Sequence, residues 1–219
     1  ACIDKRIKRV VALSTDKASS PINLYGATKL TSDKLFVAAN AYSGEHGTAF
    51  SVVRYVNVMG SRGSVIPFFN ELIRNGETCL PITDPGMTRF MITIDQGVEL
   101  VWHTLTDMVG GEIYVKKIPS MNIMDIANAM GEDVKTKITG IRPGEKLHEQ
   151  MIGFEDAPLT YEYEQHFKIL PMINDWFNSK DRIKDGIPVG EGFSYSSRNN
   201  QNWMSVEDLQ DWLKDNQLR

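Results

Sequence analysis

The sequence predicts an α/β fold in which a parallel sheet with right-handed crossovers is followed by a smaller α+β region. Three observations carry this expectation: a β-rich run over residues 9–14, a helical run over about 24–43, and a second β-rich run over 49–55 after the stop at Gly44 and Gly47. Strand, helix and strand in this order and at these lengths make a βαβ unit. Residues 1–8 read as the end of a helix running straight into the first strand. The chain starts without Met and looks like a beginning cut off.

The helix over 24–43 places Ala27, Leu30, Val37 and Ala41 on one face, which is expected to turn inward. Ligands of parallel sheets sit at the C-terminal ends of the strands. Here those ends carry Ser14-Thr15-Asp16-Lys17 and Arg54-Tyr55-Val56-Asn57, two polar clusters expected to converge on one crevice.

Beyond Gly63 the elements become shorter. A helix is expected around 66–74, extended pieces near 78–82 and 89–93, and a helix over 95–108 with Val98, Val101, Trp102 and Leu105 inward. A strand at 112–115, a helix over about 122–130, a strand near 135–139 and a short helix after Pro143 continue the series. The last helix opens at Ser205 with Asp208 three residues on, a capping-box spacing, and buries Val206, Leu209 and Leu213. The loosely polar stretch 178–202 is broken by Gly186, Pro188, Gly190 and Gly192. These changes divide the chain into residues 1–63 and a mainly separate region 64–219, some segments of which can return to the first sheet.

Of the 219 residues, 42% are hydrophobic and 24% charged, an ordinary globular balance. No window approaches the roughly 18 consecutive apolar residues of a membrane-spanning helix, and the charged first residues are unlike a signal peptide. A cytoplasmic protein with no membrane partner is expected. The net charge of -4 and the lack of a basic run argue against nucleic acid as a partner. An anionic ligand would have to be held by a few placed arginines. Cys2 and Cys79 have neither disulfide-framework nor zinc spacing. His46, His103, His148 and His166 show no metal spacing, and core or surface positions account for them and for the ten scattered methionines.

Tyr25 and Lys29 stand four residues apart and so share a helix face. The Lys29 ammonium can stabilise a phenolate, which makes Tyr25 a usable base near neutral pH. The spacing alone arises by chance in amphipathic helices. Its weight comes from the preceding strand, which ends in the hydroxyls of Ser14 and Thr15.

Five segments taken together, Ser14-Thr15-Asp16-Lys17-Ala18, Asn23-Leu24-Tyr25-Gly26-Ala27-Thr28-Lys29, Arg54-Tyr55-Val56-Asn57-Val58, Gly60-Ser61-Arg62-Gly63-Ser64-Val65 and Ile141-Arg142-Pro143-Gly144-Glu145-Lys146, resemble a known family. They are similar to the inverting UDP-N-acetylglucosamine 4,6-dehydratases of pseudaminic acid biosynthesis, extended short-chain dehydrogenase/reductases. The resemblance runs from the first strand to the C-terminus. It implies that 1–63 is the C-terminal portion of a Rossmann-like NADP-binding domain and that 64–219 mainly binds the UDP-sugar. That family opens with a Gly-rich dinucleotide-binding half, and no such loop precedes Arg9 here. About a hundred residues of the family pattern are therefore missing. The strand with Val10, Val11 and Leu13 would then be an unprotected edge, and the chain alone is expected to bind dinucleotide poorly and to aggregate.

The resemblance also implies roles. Tyr25 accepts the proton of the sugar 4-hydroxyl while Thr15 hydrogen-bonds that hydroxyl. Lys17 is the base at C5 and Asp16 the acid at the 6-hydroxyl, which requires a lysine neutral part of the time and a protonated carboxyl, both favoured by burial. Relatives that retain C5 configuration on thymidine-linked glucose carry Asp-Glu after the threonine, so Lys17 favours the inverting branch. Leu13, Ser14, Tyr25, Lys29, Val58, Met59, Gly60, Ser61 and Arg62 are implied for the cofactor, NADP rather than NAD. Asn57 is implied for the substrate, as are Arg62, Arg89 and Arg142 for its diphosphate and Glu145 for ribose hydroxyls. No metal is implied, and the full-length protein is expected to be a homo-oligomer feeding surface or flagellin glycan synthesis. A retaining dehydratase, a capsular-sugar epimerase and a non-catalytic nucleotide-sugar-binding fragment remain open.

Overall fold

Alternating apolar and β-branched runs, interrupted by polar turns, set the local order of the chain, and a computed structural model shows where each run goes. The structure describes residues 1–44, 47–131, 134–173 and 178–216. Along the chain lie β1 (Arg9–Thr15), α1 (Leu24–Ser43), β2 (Ala49–Tyr55), α2 (Val65–Arg74), β3 (Cys79–Ile82), β4 (Thr88–Phe90) and α3 (Ile94–Asp107). Then come β5 (Ile113–Lys116), β6 (Ser120–Asn122), α4 (Ile123–Met130), β7 (Lys135–Ile138), β8 (Gln150–Ile152), β9 (Thr160–Glu162), β10 (His166–Ile169), α5 (Lys180–Ile183), β11 (Ile187–Pro188) and, after a short strand at Tyr195–Ser196, α6 (Val206–Asp215).

Two compact units result. The first comprises Ala1–Tyr55, Asp95–Lys117 and Gln150–Tyr195; the second comprises Val56–Ile94, Ile118–Glu149 and Ser196–Arg219. The first unit is built on a six-stranded sheet in the order β1-β2-β5-β10-β9-β11. β1, β2 and β5 run parallel, as the βαβ reading expects, and β10, β9 and β11 extend the sheet in antiparallel fashion. β2 is a continuous buried run with Val52 and Val53 fully covered, the pattern of a strand with neighbours on both faces. In the second unit β3 pairs with β7 and β4 with β6. Its core joins Leu80, Ile82, Met121, Ile126, Leu209 and Leu213. Ser205 and Asp208 close the expected capping box of α6, on which Leu209 and Leu213 are buried and Val206 is partly so.

Several expectations are corrected. Residues 1–8 form turns rather than a helix end, because Arg6 takes a positive φ of 53° that no helix continues through. No helix follows Pro143; residues 142–145 make a turn closed by Glu145 N–H to the Arg142 carbonyl at 3.1 Å. On α1, Ala27 and Ala41 are exposed, and the buried positions are Gly26, Asp33, Asn40 and Ser43. On α3, Trp102 is 65% and Val98 46% exposed, whereas Gly97, Leu100 and Thr104 are buried. The apolar stripe that periodicity picks out on α3 therefore stands largely on the exposed side, with Ile94 also 63% exposed, and it is Leu100 that enters the core, with Val101 and Leu105 partly buried beside it.

Candidate functional site

In the first unit the polar residues expected to act together start from one turn. Thr15 ends β1 and caps a short 3-10 turn, Asp16–Ala18, its Oγ1 accepting from Lys17 N–H at 3.4 Å. The Thr15 hydroxyl donates to Asp16 Oδ1 at 2.8 Å, and Lys17 Nζ donates to the same oxygen at 3.1 Å. Asp16 is 2% exposed and Lys17 33% exposed, so a buried carboxylate is held by two donors, one of them a half-exposed ammonium. The neighbouring strand end lies beside this turn, with Ser14 opposite Arg54 and Thr15 opposite Tyr55 in parallel register.

Helix α1 begins against the same turn. Asn23 Oδ1 caps it by accepting from Gly26 N–H at 2.8 Å. At Gly26 a Cβ would lie 2.4 Å from the Lys17 carbonyl oxygen and 2.9 Å from Pro21 Cβ, so only glycine lets the helix start this close. That contact sets Tyr25 at the helix start near the Asp16 turn, with Tyr25 55% exposed. Lys29 reaches across to β1, donating to the Leu13 carbonyl at 3.2 Å. Ser14 is 5% exposed and its Oγ has no hydrogen-bond partner among the described residues, an unmet donor and acceptor beside this group.

In the second unit, Arg62, Arg89, Arg142 and Glu145, residues far apart in sequence, line one cavity of about 510 Å3. They are not equivalent. Arg89, 19% exposed, is already engaged by the protein: its Nη1 donates to the Thr88 and Leu147 carbonyls, and Glu145 and Glu149 pair with it at 3.6 and 3.8 Å. Arg62 and Arg142 are exposed and have no side-chain partner among the described residues. Asn57, Val58 and Met59 line a smaller cavity with Arg89 and Glu149, and Met59 sends its side chain into the apolar core. Gly60 has a positive φ of 71°, and Ser61 N–H closes a turn on the Val58 carbonyl at 3.0 Å.

Arg54, expected with the strand-end cluster, is instead a buried structural group: 2% exposed, it donates to the Met151 carbonyl and pairs with Asp33 and Asp156, residues that gave no signal in the sequence. A second group in the first unit gathers the buried Lys168, whose Nζ donates to Asp107 at 2.6 Å, with Tyr114 O–H donating to the same carboxylate at 2.7 Å. Burial pushes the Asp107 carboxyl up, but the bonds from Lys168, Lys184 and Tyr114 outweigh it and hold the group well below the usual carboxylate range. Here His166 stacks on Tyr163 with ring centroids 4.6 Å apart, and His103 lies 4.5 Å from His166. Burial, then His103 and Lys168, pushes His166 down to about 4. His148 contacts Thr88 Oγ1 at 2.8 Å in the second unit, and His46 lies outside the described residues. Among the described residues no group of three or more His, Cys, Asp or Glu is arranged to hold a metal, and no helix is long and apolar enough to cross a membrane.

Comparison with known proteins gives the family of the chain. A family described as polysaccharide biosynthesis protein matches residues 1–171. An inverting UDP-N-acetylglucosamine 4,6-dehydratase of Campylobacter jejuni (serotype O:23/36, strain 81-176) is 52% identical over 216 residues, covering 96% of this chain and 65% of that protein. The chain thus spans 65% of the length of that relative. A UDP-glucose 4-epimerase of Rickettsia canadensis is 33% identical over 217 residues, covering 97% of this chain and 63% of the epimerase. The crystal structure of Pen from Bacillus thuringiensis superposes with a TM-score of 0.83 at 33% identity, covering 99% of this chain and 64% of that one.

Proposed function

This chain belongs to the polysaccharide biosynthesis protein family, and on that premise we propose that the protein is an inverting nucleotide-sugar 4,6-dehydratase. It would convert UDP-N-acetylglucosamine to a UDP-4-keto-6-deoxy sugar with inversion at C5. The observation that carries the reading is the hydrogen bond from Lys17 to the buried Asp16, set against the helix that presents Tyr25 and Lys29. The 52% identity to an inverting dehydratase supports it over the epimerase, matched at 33%.

In this reading Tyr25 takes the proton of the sugar 4-hydroxyl, and Thr15 hydrogen-bonds that hydroxyl. A nicotinamide dinucleotide, NADP rather than NAD, supplies hydride acceptance from C4 and hydride return to C6 when bound. The residues fit such a group: the unpartnered Ser14 hydroxyl, the exposed Tyr25 phenol and the Lys29 ammonium at the end of β1 would hold it. The 4-ketone acidifies the C5 proton. Lys17 takes that proton and Asp16 delivers one to the 6-hydroxyl, so that water leaves across C5 and C6, and a solvent-derived proton added to C5 on the opposite face once C6 has its hydride completes the product with C5 inverted. Lys17 Nζ lies 3.1 Å from Asp16 Oδ1, so the group proposed to take the C5 proton and the group proposed to deliver one to the 6-hydroxyl stand side by side. In the second unit, Arg142 and Arg62 are proposed for the diphosphate and Glu145 for ribose.

The same reading makes the full-length protein a cytoplasmic homo-oligomer that feeds pseudaminic acid synthesis and flagellin glycosylation. The test is proton NMR of the full-length protein incubated with UDP-N-acetylglucosamine and no added cofactor. A 4-keto-6-deoxy product with C5 inverted is expected. Unchanged substrate after prolonged incubation overturns the dehydratase reading, and a C4 epimer as sole product replaces it with an epimerase.

A further inference from the structure

Helix α1 makes apolar contact with its unit through partly buried side chains such as Phe36, whose ring lies 6.3 Å from that of Phe50, but none of its fully buried positions carries a large apolar side chain. Its buried positions, Gly26, Asp33, Asn40 and Ser43, are small or polar, whereas Leu24, Leu35 and Tyr42 are 81%, 65% and 81% exposed. Gly26, Asp33 and Asn40 are spaced by seven residues, just under two turns, and so fall on one line along the helix. Each meets a partner at fixed geometry. Gly26 abuts the Lys17 carbonyl. Asp33 Oδ2 accepts from Arg54 Nη2 at 3.2 Å, with both side chains 2% exposed. Asn40 behaves as a peptide group added to β2: its Nδ2 donates to the Phe50 carbonyl and its Oδ1 accepts from Phe50 N–H, both at 2.9 Å. Gly110 makes room for that amide, since a Cβ there would lie 2.4 Å from Asn40 Oδ1.

Apolar contacts are non-directional and tolerate sliding, whereas hydrogen bonds weaken steeply off their geometry. We propose that Asp33 and Asn40 are positioning residues that set the screw position of α1 and thereby hold Tyr25 and Lys29 at the end of β1. The inference rests on the catalytic assignment of Tyr25 and Lys29 above. Asn40 is eleven residues beyond Lys29, about 16 Å along the helix axis. It acts through the helix, as does Asp33.

The test compares Asn40→Ala and Asp33→Asn with wild type in the full-length protein, with Leu35→Ala as a surface control on the same helix. Two readouts are taken: steady-state kinetics with UDP-N-acetylglucosamine, and amide hydrogen exchange of residues 24–31. Asn40→Ala is expected to lower kcat by about 10- to 100-fold, as a misplaced catalytic group does, with UDP affinity within about twofold of wild type. Exchange of residues 24–31 should quicken by about tenfold as the helix loses its register contact. Asp33→Asn, which keeps an oxygen for Arg54, should show a smaller loss in both, and Leu35→Ala none. Unchanged kcat, or exchange that quickens only around residues 36–43, overturns the proposal. Should Asn40→Ala lack a cooperative thermal transition, Asn40→Ser, which keeps a hydroxyl for the Phe50 backbone, carries the same two readouts. A wild-type protein that forms no product refutes the proposed function, and hydrogen exchange then decides the positioning role by itself.

Discussion

Lys17 Nζ donates to Asp16 Oδ1 at 3.1 Å, and the Asp16 side chain is almost fully buried while the Lys17 side chain keeps a third of its surface. Under the proposed function the two residues act together, Lys17 as base and Asp16 as acid. Lys17→Ala should therefore lower kcat for dehydration by about 10^2- to 10^4-fold, the range for loss of a general base. UDP-N-acetylglucosamine affinity, read by calorimetry, should stay within about twofold. A variant that turns over like wild type would make Lys17 a surface residue and remove the main support for inversion at C5.

Arg142 and Arg89 line the same cavity but are held differently, which separates their substitutions. Arg142 is exposed, so Arg142→Ala should weaken UDP binding by about 1.5 to 3 kcal/mol, the scale of a lost charge-assisted hydrogen bond. Its thermal midpoint should not move. Arg89→Ala removes donors from the Thr88 and Leu147 carbonyls and a partner of the buried Glu149, so it should lower the midpoint as well. Equal UDP affinity for Arg142→Ala and wild type would shift the diphosphate contact to Arg62.

The histidine group predicts how stability depends on pH. His166 is pushed from its ordinary 6.5 to about 4 by burial, then by His103 and Lys168, with Asp107 opposing. The unfolded chain therefore takes up a proton near 6.5 that the folded protein resists until about 4, and acidification through this window favours unfolding. At about 1.4 kcal/mol per pH unit, the loss is capped at roughly 3 kcal/mol. His103 is lowered too, chiefly by burial, and adds to the loss in the same direction. Asp107, held low, extends the loss to more acid pH. Thermal midpoints measured from pH 7.5 to 4.5 should fall, and His166→Phe, which keeps a ring against Tyr163 without titrating, should flatten the slope. Parallel profiles would show that His166 plays no part.

Gly26→Ala sets two effects against each other. Alanine gains about 1 kcal/mol of helix propensity over glycine. The new Cβ, however, would lie 2.4 Å from the Lys17 carbonyl, a backbone atom that cannot turn aside. Overpacking of this kind costs about 1 to 3 kcal/mol, so the variant should melt at lower temperature than wild type and lose activity as the Asp16 turn shifts. A stabilised variant with full activity would mean that the approach of α1 to the turn is slack.

The order of elements was legible in the residues: Leu24–Ser43 and Ala49–Tyr55 fall where the 3.6-residue and extended patterns place them, and Ser205 and Asp208 announce α6. The Asp16–Lys17 pair and the Tyr25, Lys29 helix were legible too, because adjacency and the helical repeat fix which side chains can meet. The inward faces of α1 and α3 were not. Hydrophobic periodicity identifies a buried stripe only when burial is apolar, and α1 is held by Gly26, Asp33 and Asn40, whose partners Lys17, Arg54 and Phe50 lie on other elements. Nor could local pattern bring Arg62, Arg89, Arg142 and Glu145 to one cavity, or return β9, β10 and β11 to the first sheet as antiparallel strands. Secondary structure and short-range pairing follow from neighbours in the chain. The meeting of distant polar groups is decided only in the folded state, where a buried charge or amide is stable once a specific partner reaches it.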